Sequence, residues 1–163
     1  AAFDLRTGLP VRGPGLDAIP VYPVSVEDGN VVVEVPRMME DFVAPPMAKR
    51  SAEDGRVFLI LGGGAAGVAA ADTLRQEGYA GRILMITEEP HLPYDRPVLS
   101  KNLGKAAEPA SLFLREKEYF EKHDIEVRKS TVVKELDAGA KTVRLASGEV
   151  IKYDCALVAT GAR

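Results

Sequence analysis

The run Gly62-Gly63-Gly64-Ala65-Ala66-Gly67 places glycines at the first, third and sixth positions of G-x-G-x-x-G. That spacing suits a strand-to-helix turn that receives the pyrophosphate of a dinucleotide. Gly62 permits the sharp turn, Gly64 lets the backbone approach phosphate oxygens, and Gly67 lets helix and strand pack closely. The phosphates then meet the unpaired N–H groups and the positive dipole end of the helix. Glu88 stands 21 residues beyond Gly67, near the roughly 20-residue offset of a carboxylate that binds ribose hydroxyls and disfavours a 2′-phosphate. Such a unit does not distinguish FAD from NAD, because both present an adenosine diphosphate to it. Glycines can also do no more than form a tight turn, so the weight rests on the order strand, glycines, helix, strand, acid.

The flanking sequence supplies that order. Val57 to Leu61 is a continuous apolar run, as expected for a parallel strand covered on both faces. Ala65 to Gln76 reads as an alanine-rich helix closed by Gly78, and Arg82 to Thr87 as a second strand, which completes a βαβ unit. A loop with Pro90, Pro93 and Pro97 follows, then an expected helix over 112–123 and a strand over 125–127. Short strands are expected over 131–136, 141–145, 150–153 and 156–159, with Ser147-Gly148-Glu149 as a tight hairpin turn. The fold class is α/β with a Rossmann-like dinucleotide-binding part, and no internal repeat appears.

Upstream the character changes. Residues 1–35 hold two basic residues, Arg6 and Arg12, against five acidic ones, whereas the remainder carries 19 of each sign. The two runs 22–26 and 31–35 flank Asp28-Gly29 and read as a β-hairpin. Thr7-Gly8 and Arg12-Gly13-Pro14-Gly15 are turn chemistry. About 35 residues of strand and turn cannot bury enough apolar surface to stand alone. Residues 1–35 are therefore expected to be the end of a small β domain whose other strands precede Ala1. Residues 36–55, with Met38, Met39, Pro45 and Pro46, lack periodicity and read as a linker. The dinucleotide part is expected over 56–163.

Composition excludes several classes. The chain has 163 residues and a formal net charge of −3, which gives no reason to expect a nucleic-acid partner. No apolar run approaches the ~20 residues of a membrane span. A single cysteine, Cys155, can form neither an intrachain disulfide nor a cysteine-based metal site, and an intracellular compartment is the default. Its strand position suggests a packed thiol. His91 and His123 lie far apart without cysteine neighbours and read as loop or helix-surface residues, so no metal site is expected. Arg115-Glu116-Lys117-Glu118 reads as a solvated helix face.

The stretch from Glu88 to Lys101, which contains Pro93-Tyr94-Asp95-Arg96-Pro97-Val98-Leu99-Ser100-Lys101, resembles the flavin-side loop of ferredoxin-reductase-like flavoproteins. Ala156-Leu157-Val158-Ala159-Thr160-Gly161 resembles their second FAD motif. Ala1 to Gly8 and the hairpin up to Val35 resemble the end of a Rieske domain, as in the apoptosis-inducing-factor-like branch of these flavoproteins. The resemblance implies that Gly62, Gly64 and Gly67 approach the FAD pyrophosphate and Glu88 the adenosine ribose. It places Arg96 and Lys101 along the pyrophosphate and flavin side, with Lys101 in a catalytic role. Val133 would meet the adenine through its backbone, while Thr160 and Gly161 border the cofactor. The implied activity takes hydride from NAD(P)H and passes electrons through FAD to an iron–sulfur domain or another acceptor protein, in the cytoplasm or a mitochondrion. A Rieske [2Fe–2S] cluster needs two cysteines and two histidines, which this chain does not carry, and no second glycine motif is present for NAD(P)H. Hydride transfer by the chain alone is therefore not expected. Two other readings are an NAD-binding dehydrogenase domain, which lacks an identified catalytic acid or base, and a nucleotide-binding module of apoptotic signalling, which rests on family analogy alone.

Overall fold

In the computed structural model, residues 1–12, 17–36, 46–101 and 112–161 are described. The chain divides into two units, Ala1–Pro46 and Met47–Arg163. In the first, β1 (Ala2–Phe3) pairs antiparallel with β2 (Pro10–Arg12). The intervening turn is closed by Asp4, whose Oδ1 accepts the N–H groups of Arg6 and Thr7, each at 2.9 Å. The alternating valines form the expected hairpin, β3 (Val24–Glu27) with β4 (Asn30–Val33). Asp28 and Gly29 both take positive φ, 50° and 79°, as the right-handed twist of a two-residue hairpin requires. The turn expected at Gly13-Pro14-Gly15, like residues 37–45 of the expected linker, lies outside the described residues. Residues 47–55 belong to the second unit, where the N–H of Ala48 donates to Arg75 O and that of Ser51 to Ala80 O, each at 2.8 Å.

The second unit begins with β5 (Val57–Leu61), α1 (Ala65–Gln76) and β6 (Arg82–Ile86), followed by α2 (Arg96–Lys101), α3 (Lys117–Lys122) and β7 (Ile125–Arg128). Next come β8 (Val133–Asp137), β9 (Thr142–Leu145), β10 (Val150–Lys152) and β11 (Cys155–Val158). Strands β11, β5, β6 and β7 form a parallel sheet in that order, and β8 to β10 an antiparallel meander. The apolar runs of β5 and β6 are continuous because both faces are covered. Leu59, Leu61, Leu84 and Ile86 pack with Val143, Leu145, Ile151 and Tyr153 of the meander side. Ile60, Ile83 and Met85 turn the other way, against Val68 and Ala71 of α1 and Phe120 of α3. Period-two alternation thus sorts one apolar strand into two cores.

Two expectations for this unit change. The helix expected over 112–123 shortens to α3, because Phe113 bridges Tyr94 in antiparallel fashion. Backbone bonds from Asp95 N to Leu112 O and from Leu114 N to Pro93 O fix that pairing, at 2.8 and 2.9 Å. Tertiary pairing of the Pro-rich loop overrides helical propensity there. Arg115, read as solvated, is instead largely buried: its Nη2 lies 3.1 Å from Oδ2 of buried Asp72, and its guanidinium lies over the Tyr119 ring.

At the far end of α1, Arg75 is wholly buried and fastens three segments. Its guanidinium donates to the carbonyls of His123, Tyr79, Gly81 and Asp124 at 2.9, 2.5, 3.0 and 2.9 Å. This pins α1 to the start of β6 and to the turn from α3 into β7, which fixes the tilt of the helix whose other end faces a cleft.

Candidate functional site

The carboxyl ends of β5, β6 and β11 open into one cleft of about 910 Å³. β5 lies between β6 and β11, so the chain order reverses at β5, and ligands of open α/β sheets bind outside the strand ends at such a point. Gly62 N donates to Ile86 O and Ala159 N to Leu61 O, each at 2.8 Å, which holds the three strand ends together.

The glycines serve different masters. Gly62 has φ +123°, and a Cβ there would lie 2.2 Å from Ala159 O. A Cβ at Gly67 would lie 2.2 Å from Gly62 O, so this glycine is required by the contact of helix with turn. Gly64 is unlike both. It has φ −95° and ψ −174°, a conformation any residue adopts, and a Cβ would meet nothing within 4 Å among the described residues. Among the described residues nothing demands glycine at 64.

Gly64 is the N-cap of α1, with no side-chain cap and no acidic residue in the first turn. Ala65 and Ala66 line the cleft, and the first N–H groups of a helix lack intrahelical partners. An uncapped twelve-residue helix that opens on a cleft is suited to an anionic group.

Of the residues singled out in the sequence, Gly62, Gly64, Glu88, Arg96, Val133, Thr160 and Gly161 all line this cleft. Gly67 lies buried beneath it. Lys101, at the end of α2, is exposed and outside the lining. Val133 pairs with Leu145 and packs against the core, while it also forms the cleft wall.

Thr87 is a lining residue that the motif reading passed over. Its N–H donates to Arg128 O and its carbonyl accepts Thr131 N, both at 2.9 Å, while its Oγ1 accepts Glu89 N at 3.3 Å. Thr87 thereby turns the chain from β6 so that both Glu88 and Glu89 reach the cleft. A Cβ at Gly63 would come within 2.9 Å of Thr87 Cβ, which sets the spacing between the glycine turn and the acidic turn. The signal available in the sequence was only a polar residue closing an apolar strand.

Glu89 Oε1 accepts Arg96 Nη2 at 2.5 Å, and the Arg96 guanidinium lies 5.7 Å from the Tyr94 ring centroid. Burial raises the Tyr94 phenol above its ordinary pKa, and the charge of Glu89 and a hydrogen bond to its carboxylate add to the shift. Cys155, expected to be packed, is exposed, as are Ala156 and Val158 of the same strand. His91 is exposed, and His123 is half-buried with its ring 4.6 Å from that of Tyr119. Among the described residues no group of three or more His, Cys, Asp or Glu side chains could hold a metal ion, and no helix is long and apolar enough to cross a membrane.

Comparison with known proteins extends this geometry. Human apoptosis-inducing factor 3 is 36% identical over 171 residues, which covers 99% of this chain and 27% of that protein. The ferredoxin–NAD(+) reductase subunit of the benzene 1,2-dioxygenase system of Pseudomonas putida is 42% identical over 106 residues, 64% of this chain and 25% of the subunit. Among solved structures, a ferredoxin reductase from Rhodopseudomonas palustris superposes with TM-score 0.63 at 41% identity, covering 67% of this chain and 27% of that one. The chain thus spans about a quarter of the length of these relatives, at 25% to 27%. Residues 57–163, which contain every element that forms the cleft, match the pyridine nucleotide-disulphide oxidoreductase family, and the chain belongs to it.

Proposed function

We propose that this chain supplies the adenosine and pyrophosphate side of an FAD site, in a protein that moves electrons from NAD(P)H through FAD to an iron–sulfur or other acceptor. The observation that carries this reading is Gly64, a glycine required by no contact among the described residues, placed at the uncapped start of α1 in the cleft. When bound, FAD supplies the exchange between a hydride pair and single electrons.

The residues divide the work of holding it. The backbone at Gly62 to Gly64 and the first turn of α1 receive the pyrophosphate, and Glu88 the adenosine ribose. Val133 presents its backbone to the adenine, and Thr160 and Gly161 border the cofactor from β11. Arg96 adds positive charge at the mouth of the cleft. Lys101 takes the flavin side, where a cation stabilises negative charge on the reduced ring. The names of the reductase relatives support an acceptor of the ferredoxin type. Residues 1–35 form the end of a Rieske domain in this reading, and the flavoprotein part takes in residues 47–55 of the expected linker, with the [2Fe–2S] ligands and the NAD(P)H site on other segments of the protein.

Titration of the chain with FAD, followed by flavin fluorescence, tests the assignment. Saturable binding that ADP displaces is expected. Binding of NAD⁺ with none of FAD would overturn it in favour of a dehydrogenase domain.

A further inference from the structure

Arg96 poses a problem that its sequence motif does not. Its side chain is 58% exposed, and a long side chain in water loses much rotamer entropy when it is fixed on a ligand. Two neighbours reduce that freedom before any ligand arrives. Glu89 Oε1 accepts Arg96 Nη2 at 2.5 Å, and the Tyr94 ring lies under the guanidinium.

Both neighbours stand on anchored backbone. Glu89 N donates to Thr87 Oγ1 at 3.3 Å and Glu89 O accepts Ser130 N at 3.0 Å. Tyr94 forms the bridge to Phe113 and follows fully buried Pro93. The Glu89 carboxylate thus takes one N–H of the guanidinium and the Tyr94 ring covers one face. The Glu89 bond uses one N–H of Nη2, and among the described residues Arg96 has no other acceptor, so the second N–H of Nη2 with its neighbouring nitrogen leaves one two-pronged edge for an anion in the cleft.

We infer that Glu89 and Tyr94 are positioning residues that hold the Arg96 guanidinium at the cleft mouth, ready for the diphosphate of the nucleotide. This rests on the nucleotide-site reading above. Glu89 has two opposed effects, since its charge repels phosphate while its bond orients Arg96. The geometry favours orientation, because Arg96 lies at bonding distance and neutralises the carboxylate.

The test compares wild type with E89Q, Y94L and R96A, using FAD, ADP and riboflavin as titrants. E89Q and Y94L each weaken FAD and ADP about fivefold, the scale of one partly exposed ion pair or cation–π contact. Riboflavin, which has no phosphate, shows no change. In an R96A background, E89Q has no further effect on FAD or ADP, and Arg96→Lys does not restore the wild-type values because an ammonium lacks the planar fork. Side-chain nitrogen NMR supplies a readout without ligand: the Arg96 Nε–H signal is ordered in wild type and averaged in E89Q. Wild-type binding of FAD together with unchanged or tighter binding by E89Q overturns the positioning role. Absence of binding of both FAD and ADP by wild type overturns the nucleotide site as well. Equal weakening in the R96A background shows that Glu89 acts through the fold instead of through Arg96.

Discussion

Replacement of Gly64 by alanine separates what the fold needs from what a ligand needs. Among the described residues the added methyl meets nothing within 4 Å, and φ −95° needs no glycine. Two small terms oppose each other: alanine is a poorer N-cap than glycine, but it lowers the entropy of the unfolded chain. Their sum leaves stability within about 1 kcal/mol of wild type. A phosphate bound by backbone N–H groups is another matter, because each charge-assisted bond contributes about 1.5–3 kcal/mol and a methyl in its approach path lengthens at least one of them. A loss of about 3 kcal/mol, roughly a hundredfold in affinity, is expected for both FAD and ADP. Gly64→Val, with its branched side chain, weakens binding at least as much. Gly67→Ala is the control: its Cβ would lie 2.2 Å from Gly62 O, so it lowers stability by about 1–3 kcal/mol through overpacking. Urea denaturation and nucleotide titration of the same samples measure both quantities. Wild-type affinity in Gly64→Ala, or a loss of stability as large as that of Gly67→Ala, would refute the reasoning.

Two further outcomes follow from the ion pairs and the buried arginine. Arg75→Met leaves four carbonyls without their donors and is expected to lower stability by about 4 kcal/mol, read as a urea midpoint shift. Arg75→Lys recovers less than half of that, because one ammonium cannot reach four acceptors, and full recovery would contradict the clamp. At Glu126 burial raises the carboxyl pKa, but hydrogen bonds from Arg82 and Arg128 outweigh it and the net shift is downward. A folded pKa below the unfolded one means stabilisation that is present above the ordinary 4.5 and is lost as pH falls through the folded value. Glu126→Gln should therefore be less stable than wild type at neutral pH, with the gap closing in acid; a gap independent of pH would show that the bonds, and not the charge, carry the effect.

What was legible in the sequence and what was not divide along a physical line. The βαβ unit could be read because its signals are local: an apolar run, three glycines and an alanine-rich helix each specify backbone conformation within a few residues. The same holds for the Asp28-Gly29 hairpin, where the turn chemistry alone sets the register. Arg75, Arg115 and Cys155 could not be placed, since their surroundings come from distant segments. Arg75 bonds to carbonyls up to 49 positions away, and Arg115 finds its carboxylate 43 positions back. Cys155 is exposed along with Ala156 and Val158 of β11, so whether that strand is covered depends on what packs on its faces and not on residue type. The cleft draws on both kinds of information. Its glycines could be named in advance, but their different obligations could not, because the string G-x-G-x-x-G treats the three alike. Only a Cβ at Gly64 that meets no described residue within 4 Å, beside backbone oxygens 2.2 Å from a Cβ at each of the other two, separates the glycine that the fold does not require from those that it does.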